Sequence, residues 1–225
     1  MARHWTVVRY DMLGHGGSTN PPGQRSLRDF VEQIIRLLDY LGFPRAAIVG
    51  FSMGGMIAQA VAVNHPDRVE RLGILNAVYA RTPEQRAAVL ERLRQVEVSG
   101  PAANVDIALK RWFTPAFAAA HPATIEAVRR QVVTNDHLGY LNAYRVFATA
   151  DADLIEPLRT IRCPTLVATG ELDPNSTPDM AHRMAATIPG AHAVILPGLP
   201  HMVPIEGAAA VNNLLHEFMA SPTMP

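Results

Sequence analysis

The sequence is short of cysteine, of charge and of long apolar runs, and each shortage excludes something. Cys163 is the only thiol in 225 residues, so no intramolecular disulfide can form and a reducing compartment fits. It lies in the apolar run Cys163 to Ala168, which reads as a buried strand rather than the setting of a nucleophile. Charged residues make up 18% of the chain and cancel to a formal net charge of zero, which argues against disorder and against a polyelectrolyte partner. There is no basic stripe, so no nucleic acid is expected. The start, Met1-Ala-Arg-His-Trp5, has no signal-peptide pattern. One run, Ala46 to Val63, is uncharged for 18 residues and could pass for a membrane span. It contains Gly50, Ser52, Gly54 and Gln59, and reads instead as a buried strand followed by a helix. The expectation is a cytoplasmic protein with no membrane association. No metal-ligand spacing and no phosphate-cradling loop occurs, and Gly14-His-Gly-Gly17 lacks that spacing, so neither metal nor cofactor is expected.

What is present is a 48% hydrophobic chain, long enough for one domain with an insertion. It is organised around Ala46-Ala-Ile-Val-Gly-Phe-Ser52-Met-Gly-Gly-Met-Ile-Ala-Gln59. A β-branched run enters G-x-S-x-G and a small-residue helical run leaves it, the pattern of a strand, a nucleophile elbow and a helix. So sharp a turn predicts positive φ at Ser52, and side chains at Gly50 and Gly54 are expected to collide with strand and helix. It also aims the first helical amides, Met53 N–H foremost, at whatever Ser52 attacks.

Trp5 to Tyr10 reads as a strand, followed by a glycine-rich loop from Asp11. Ser26 caps a helix that runs to about Leu41 and stops at Gly42. After the elbow helix, which ends near His65-Pro66, Leu72 to Asn76 is a strand. Residues 82–150 show only helical patterns: Glu84 to Val98, Val105 to Trp112, Ala123 to Thr134 and Leu138 to Ala148, punctuated by Pro83, Pro101, Pro115 and Pro122. Strands resume at Thr165 to Thr169 and Ala193 to Leu196, with a helix capped by Ser176 or Thr177 between them and a closing helix from Val203 to Met219. The expected fold is α/β, a mostly parallel sheet flanked by helices, built from 1–80 and 151–225 with a helical cap inserted at 81–150.

A serine hydroxyl needs a base, and the base needs an orienting carboxylate. In a parallel sheet such residues meet at the carboxyl ends of strands. Asp173 and His201 each follow a strand and share that edge with Ser52. Glu171 competes with Asp173 in the same loop, and Asp151 and Asp153 are weaker alternatives. His15 lies in another loop on that edge and could line the pocket, while His65, His182 and His216 read as structural or surface residues.

With that order in place, the chain resembles the α/β-hydrolase superfamily along nearly its whole length. Asp11-Met-Leu-Gly-His-Gly-Gly-Ser18, Asn64-His-Pro-Asp-Arg-Val69, Gly170-Glu-Leu-Asp173 and Pro197-Gly-Leu-Pro-His201 look like its signature loops. The elbow sequence and Trp112-Phe-Thr-Pro-Ala-Phe117 look most like 3-oxoadipate enol-lactonases. That likeness implies attack of Ser52 on a lactone or ester, with esterases, carbon–carbon hydrolases and cofactor-free haloperoxidases on the same scaffold. A catalytically impaired homologue that binds a small molecule is the alternative from another class. The resemblance also implies about three further strands ahead of Trp5 and a second oxyanion donor after them, so a shortened start is expected. Pro200 stands where the family has glycine, which predicts a stiffened or re-aimed His201 loop. Trp112, Phe117 and His15 are the candidate substrate contacts, with packing inside the cap as the alternative for the two aromatics. An anionic substrate would need a cation, for which Arg9, Arg111 and Arg145 are candidates. The expected partner is a small-molecule substrate, with homo-oligomer formation possible.

Overall fold

Parallel strands cannot be joined by tight turns, and helical segments span every connection between the strands of this chain. The structure is a computed structural model and describes Ala2 and residues 4–221. Among the described residues, β1 (Ala46–Phe51), β2 (Val69–Leu75), β3 (Thr165–Gly170) and β4 (His192–Leu196) form one parallel sheet in the order β1-β2-β3-β4. Helices α1 (Leu27–Tyr40), α2 (Met53–Asn64) and α8 (Pro178–Thr187) cover one face. Phe30, Met56, Ile57, Met180 and Met184 pack there against Leu72 and Ile74, all essentially inaccessible to solvent. The start of α1 is fixed by Asp29, whose carboxylate accepts from the Ser26 N–H at 2.7 Å and the Ser26 hydroxyl at 2.8 Å. Thr177, of the two residues considered, caps α8.

The other face is covered by α10 (Ala208–Ala220), which lays Val211, Leu215 and Phe218 over Leu75, Leu166 and Leu196. Phe51 at the end of β1 packs against this cluster, but Ala47 and Val49 are exposed, so β1 is not buried on both faces as its composition predicts. The expected closing helix is broken: α9 (Val203–Glu206) ends at Gly207, which lies against the Leu199 side chain, before α10 begins.

Trp5 to Tyr10 forms no strand. A strand exists only through a ladder with a neighbour. β1 pairs with β2 alone, and nothing described runs along its outer edge. The segment is therefore irregular, with Val7 and Val8 about half exposed and the Trp5 ring 5.1 Å from that of His216. Cys163 precedes β3 rather than lying within it, half-buried, and burial pushes its thiol up.

Between β2 and β3 stand α3 (Pro83–Ser99), α4 (Val105–Trp112), α5 (Pro115–Ala120), α6 (Pro122–Val133) and α7 (His137–Thr149). The short α5 is not anticipated by sequence, where Pro115 reads as punctuation. Here it opens a helix instead, with the Thr114 hydroxyl accepting from Phe117 N–H at 3.2 Å. These helices have apolar clusters of their own, one around Val89, Leu93 and Leu141, another around Val105, Leu109 and Phe113. They are tied to the sheet at their stem. Arg81, entering the cap, donates to Asp151, leaving it, at 2.8 Å, with both side chains buried. They are also seated on the loop after Tyr10. The backbones of Gly14 and Gly139 approach so closely that a side chain on either would meet the other, and Asn20 Nδ2 donates to Asp136 Oδ1 at 2.7 Å. Among the described residues no helix is long and apolar enough to cross a membrane.

Candidate active site

β1 ends by turning directly into α2, and Ser52 is the residue at the turn. Its φ of 53° and ψ of −118° are a strained combination for a residue with a side chain. Gly50 permits the turn: a Cβ there would collide with the carbonyl group of Gly54 and come within 2.6 Å of Gly55 N. Gly54 does not have the role expected of it, because a Cβ there meets nothing within 4 Å. The tight position is Gly55, where a Cβ would be 2.8 Å from that of Ala77. The second constrained glycine is thus set first by packing of α2 on the chain after β2, with the Gly50 carbonyl oxygen next at 3.3 Å. At the head of α2, Met53 N–H donates to no described group.

β3 and β4 deliver the other two residues. Asp173 follows β3 and is 2% exposed; His201 follows β4 and is 7% exposed. Asp173 Oδ2 lies 2.6 Å from His201 Nδ1, and His201 Nε2 lies 3.1 Å from Ser52 Oγ. An ionised carboxylate only accepts, so Nδ1 carries the ring proton and Nε2 is left to accept from the Ser52 hydroxyl. Asp173 is held on all sides. Oδ1 accepts from Asn175 N–H at 2.9 Å and Ser176 N–H at 3.0 Å, while Oδ2 also accepts from Asn76 Nδ2 at 2.8 Å. Burial by itself would raise this carboxyl, but the hydrogen bond and charge of His201, the Asn76 amide and the Ser176 N–H together hold it below the ordinary 3.8. Asn76 escaped the sequence reading. It lies just past the end of β2 at φ 49°, and its only sequence signal is a polar residue closing an apolar strand.

The rival carboxylates are engaged elsewhere. Glu171 accepts from Gly198 N–H at 2.7 Å on the surface, Asp151 pairs with Arg81, and Asp153 is exposed. Pro200 does not turn His201 away from Ser52. Its loop is pinned where Leu172 N–H donates to Leu199 O at 2.9 Å.

Ser52, Met53 and His201 open onto a cavity of about 400 Å³ beneath the cap. His15 and Trp112 line it, and the Trp112 ring lies over that of His201 with centroids 6.4 Å apart. Phe117 does not line it. Its ring stacks on Phe113 at 5.5 Å and abuts His121 at 4.4 Å, inside the α4–α6 cluster. Of the three arginine candidates, Arg111 lines the cavity, Arg145 is bound to Glu97 at 2.9 Å, and Arg9 is exposed. Arg92 and Tyr144 also reach the cavity and were not singled out by sequence, since nothing local marks them. Among the described residues no group of three or more His, Cys, Asp or Glu side chains could hold a metal ion.

A parallel sheet with an elbow serine, a carboxylate and a histidine at one edge is the architecture of an α/β hydrolase. The family model described as alpha/beta hydrolase fold matches residues 1–208, and the chain belongs to that family. The chain is 33% identical, over 97% of its length and 81% of the relative's, to an (E)-2-((N-methylformamido)methylene)succinate hydrolase of Acinetobacter baylyi. It is also 33% identical to a 3-oxoadipate enol-lactonase of the same organism, over 76% of this chain and 62% of that one. The crystal structure of the enol-lactonase from Burkholderia xenovorans superimposes with a TM-score of 0.87 at 31% identity, covering 95% of this chain and 80% of that one.

Proposed function

We propose that the protein is a cofactor-independent serine hydrolase acting on a lactone or small carboxylic ester through an acyl-enzyme. The observation that carries this reading is the unbroken line from Ser52 Oγ through His201 to Asp173 at the floor of a cavity, beside the unengaged Met53 N–H. The likeness to enol-lactonases supports the choice of a lactone or ester.

The steps follow from the proton positions. Ser52 Oγ attacks the carbonyl carbon as its proton passes to His201 Nε2. The oxygen that gains charge is met by Met53 N–H, with the positive end of α2 behind it. Asp173, fixed by its four donors, stabilises the imidazolium without taking the proton. The tetrahedral adduct collapses, and the departing oxygen takes the proton from Nε2. Water then gives a proton to Nε2 and adds to the acyl carbon, Ser52 departs with that proton, and the acid is released.

Ser52→Ala tests the proposal. Turnover of p-nitrophenyl acetate should fall by at least about 10⁴-fold, while the thermal unfolding midpoint stays close to the parent's. Turnover near the parent rate in the variant would sink the proposal.

A further inference from the structure

The cap is fastened to the chain just past the catalytic histidine. The His201 ring has an aromatic neighbour from each part of the molecule, Phe51 of the sheet at 5.1 Å and Trp112 of the cap at 6.4 Å, the second stacked on it with 29° between the planes. Trp112 is the last residue of α4, and its carbonyl oxygen accepts from Met202 N–H at 2.9 Å. Two residues on, Thr114 N–H donates to Glu206 Oε2 at 3.0 Å, and the Thr114 hydroxyl donates to Glu206 Oε1. One cap residue thus engages both oxygens of a carboxylate 92 positions away, through charge-assisted bonds. Met202 and Ile205 extend the contact by packing against the cluster of Val105, Leu109 and Phe113. A glutamate on a short surface helix is ordinarily solvated. Glu206 is instead half-buried and faces a backbone N–H and a hydroxyl. On the other side of His201, Leu172 N–H holds Leu199 O at 2.9 Å. His201 therefore lies between an anchor on the sheet and two on the cap.

We infer that Glu206 is a positioning residue for the catalytic histidine: by holding Thr114 it seats Trp112 over His201 and fixes the cap to the loop that carries the imidazole. Glu206 does not line the cavity, so it acts only through the residues it holds. Acylation and deacylation both pass a proton through His201 Nε2, so an imidazole that drifts slows both. This inference rests on the hydrolase reading and adds to it a residue outside the triad.

Glu206→Ala removes both acceptors. With p-nitrophenyl acetate its kcat should fall about 10- to 100-fold, the loss that a small misplacement of a catalytic group brings, at nearly unchanged KM because both steps slow together. A second readout follows the ring itself. The chain has two tryptophans, so in a Trp5→Phe background the emission reports Trp112 alone. Glu206→Ala should shift that emission to the red and make acrylamide quench it more efficiently, as the ring leaves His201 for water. Glu206→Gln, which keeps an acceptor oxygen at the same reach, should restore part of both readouts. Thermal unfolding checks that each variant is folded at the assay temperature. If the alanine variant is not, Glu206→Asp, which keeps the charge but falls short by one methylene, carries the test with losses in the same direction. A merely structural role predicts a lower unfolding midpoint with kcat and Trp112 emission unchanged in the folded variant, and that result would overturn the inference. So would a fall in kcat without a change at Trp112, or a change at Trp112 without a fall in kcat. Absence of Ser52-dependent turnover in the parent protein would remove the hydrolase reading instead, and Trp112 emission would still decide whether Glu206 holds the cap against His201.

Discussion

Asp173 is the residue on which the geometry of the site depends most, because it is buried and every one of its acceptor positions is filled. Asparagine in its place cannot accept in the same way, and the imidazole loses the partner that keeps its proton on Nδ1. Asp173→Asn should lower kcat by about 10⁴-fold. The same variant should change the acid limb of stability. The folded-state carboxyl titrates below its ordinary 3.8, so its ionised form stabilises the fold at every pH above that value. This stabilisation fades as pH falls from 3.8 through the lower folded-state value. Urea unfolding at a series of acid pH values should therefore show a steeper loss in the parent than in Asp173→Asn. At the elbow, Gly50→Ala should abolish turnover and impair folding, because the new methyl meets the backbone of Gly54 and Gly55. Gly54→Ala, with open space ahead of it, should be neutral or stabilising by up to about 1 kcal/mol. The two glycines look alike in G-x-S-x-G, and only the path of α2 distinguishes them. Ser52, Asp173 and His201 were legible because each follows a strand at one sheet edge. Asn76 also follows a strand at that edge, but it carries no motif and an amide has no chemical role of its own in the Ser-His-Asp pattern, so nothing in the sequence ties it to Asp173.

At the scale of elements, local pattern was a good guide wherever a segment finds the partner its pattern calls for. The periodicity of α1, α3, α4 and α7 corresponds to apolar faces that are buried in the sheet core or in the cap's own clusters, and that of α6 to a face half-buried against one of them. Trp5 to Tyr10 has strand composition and no ladder, so its propensity goes unused. Residues that read as markers between elements can also begin one, as Pro115 does for α5. The stem of the cap is a charged contact that no periodicity could reveal. Asp151 receives Arg81 at 2.8 Å and Arg86 at 3.4 Å, and Arg81 is buried with it. Asp151→Ala would leave the Arg81 charge without its partner, and denaturant unfolding should show a loss of roughly 3–5 kcal/mol. A cost under about 1 kcal/mol would mean that Arg81 escapes to water.

At the scale of the whole molecule, function depends on parts distant in sequence closing on one edge of the sheet. The elbow brings Ser52, the two last strands bring Asp173 and His201, and the cap brings Arg92, Arg111 and Trp112 over them. α/β folds bind their ligands outside the carboxyl ends of strands, and that rule made the location of the site readable before its walls were. The cap's lining was not readable, because which face of α3 or α4 looks inward depends on how five helices pack together. The measurement that tests the central claim most directly is labelling with a serine-directed fluorophosphonate, followed by intact-mass and peptide mapping. An assembled triad predicts one adduct per chain, on Ser52, and none in His201→Ala. Absence of an adduct on Ser52 in protein that still unfolds cooperatively would contradict the account.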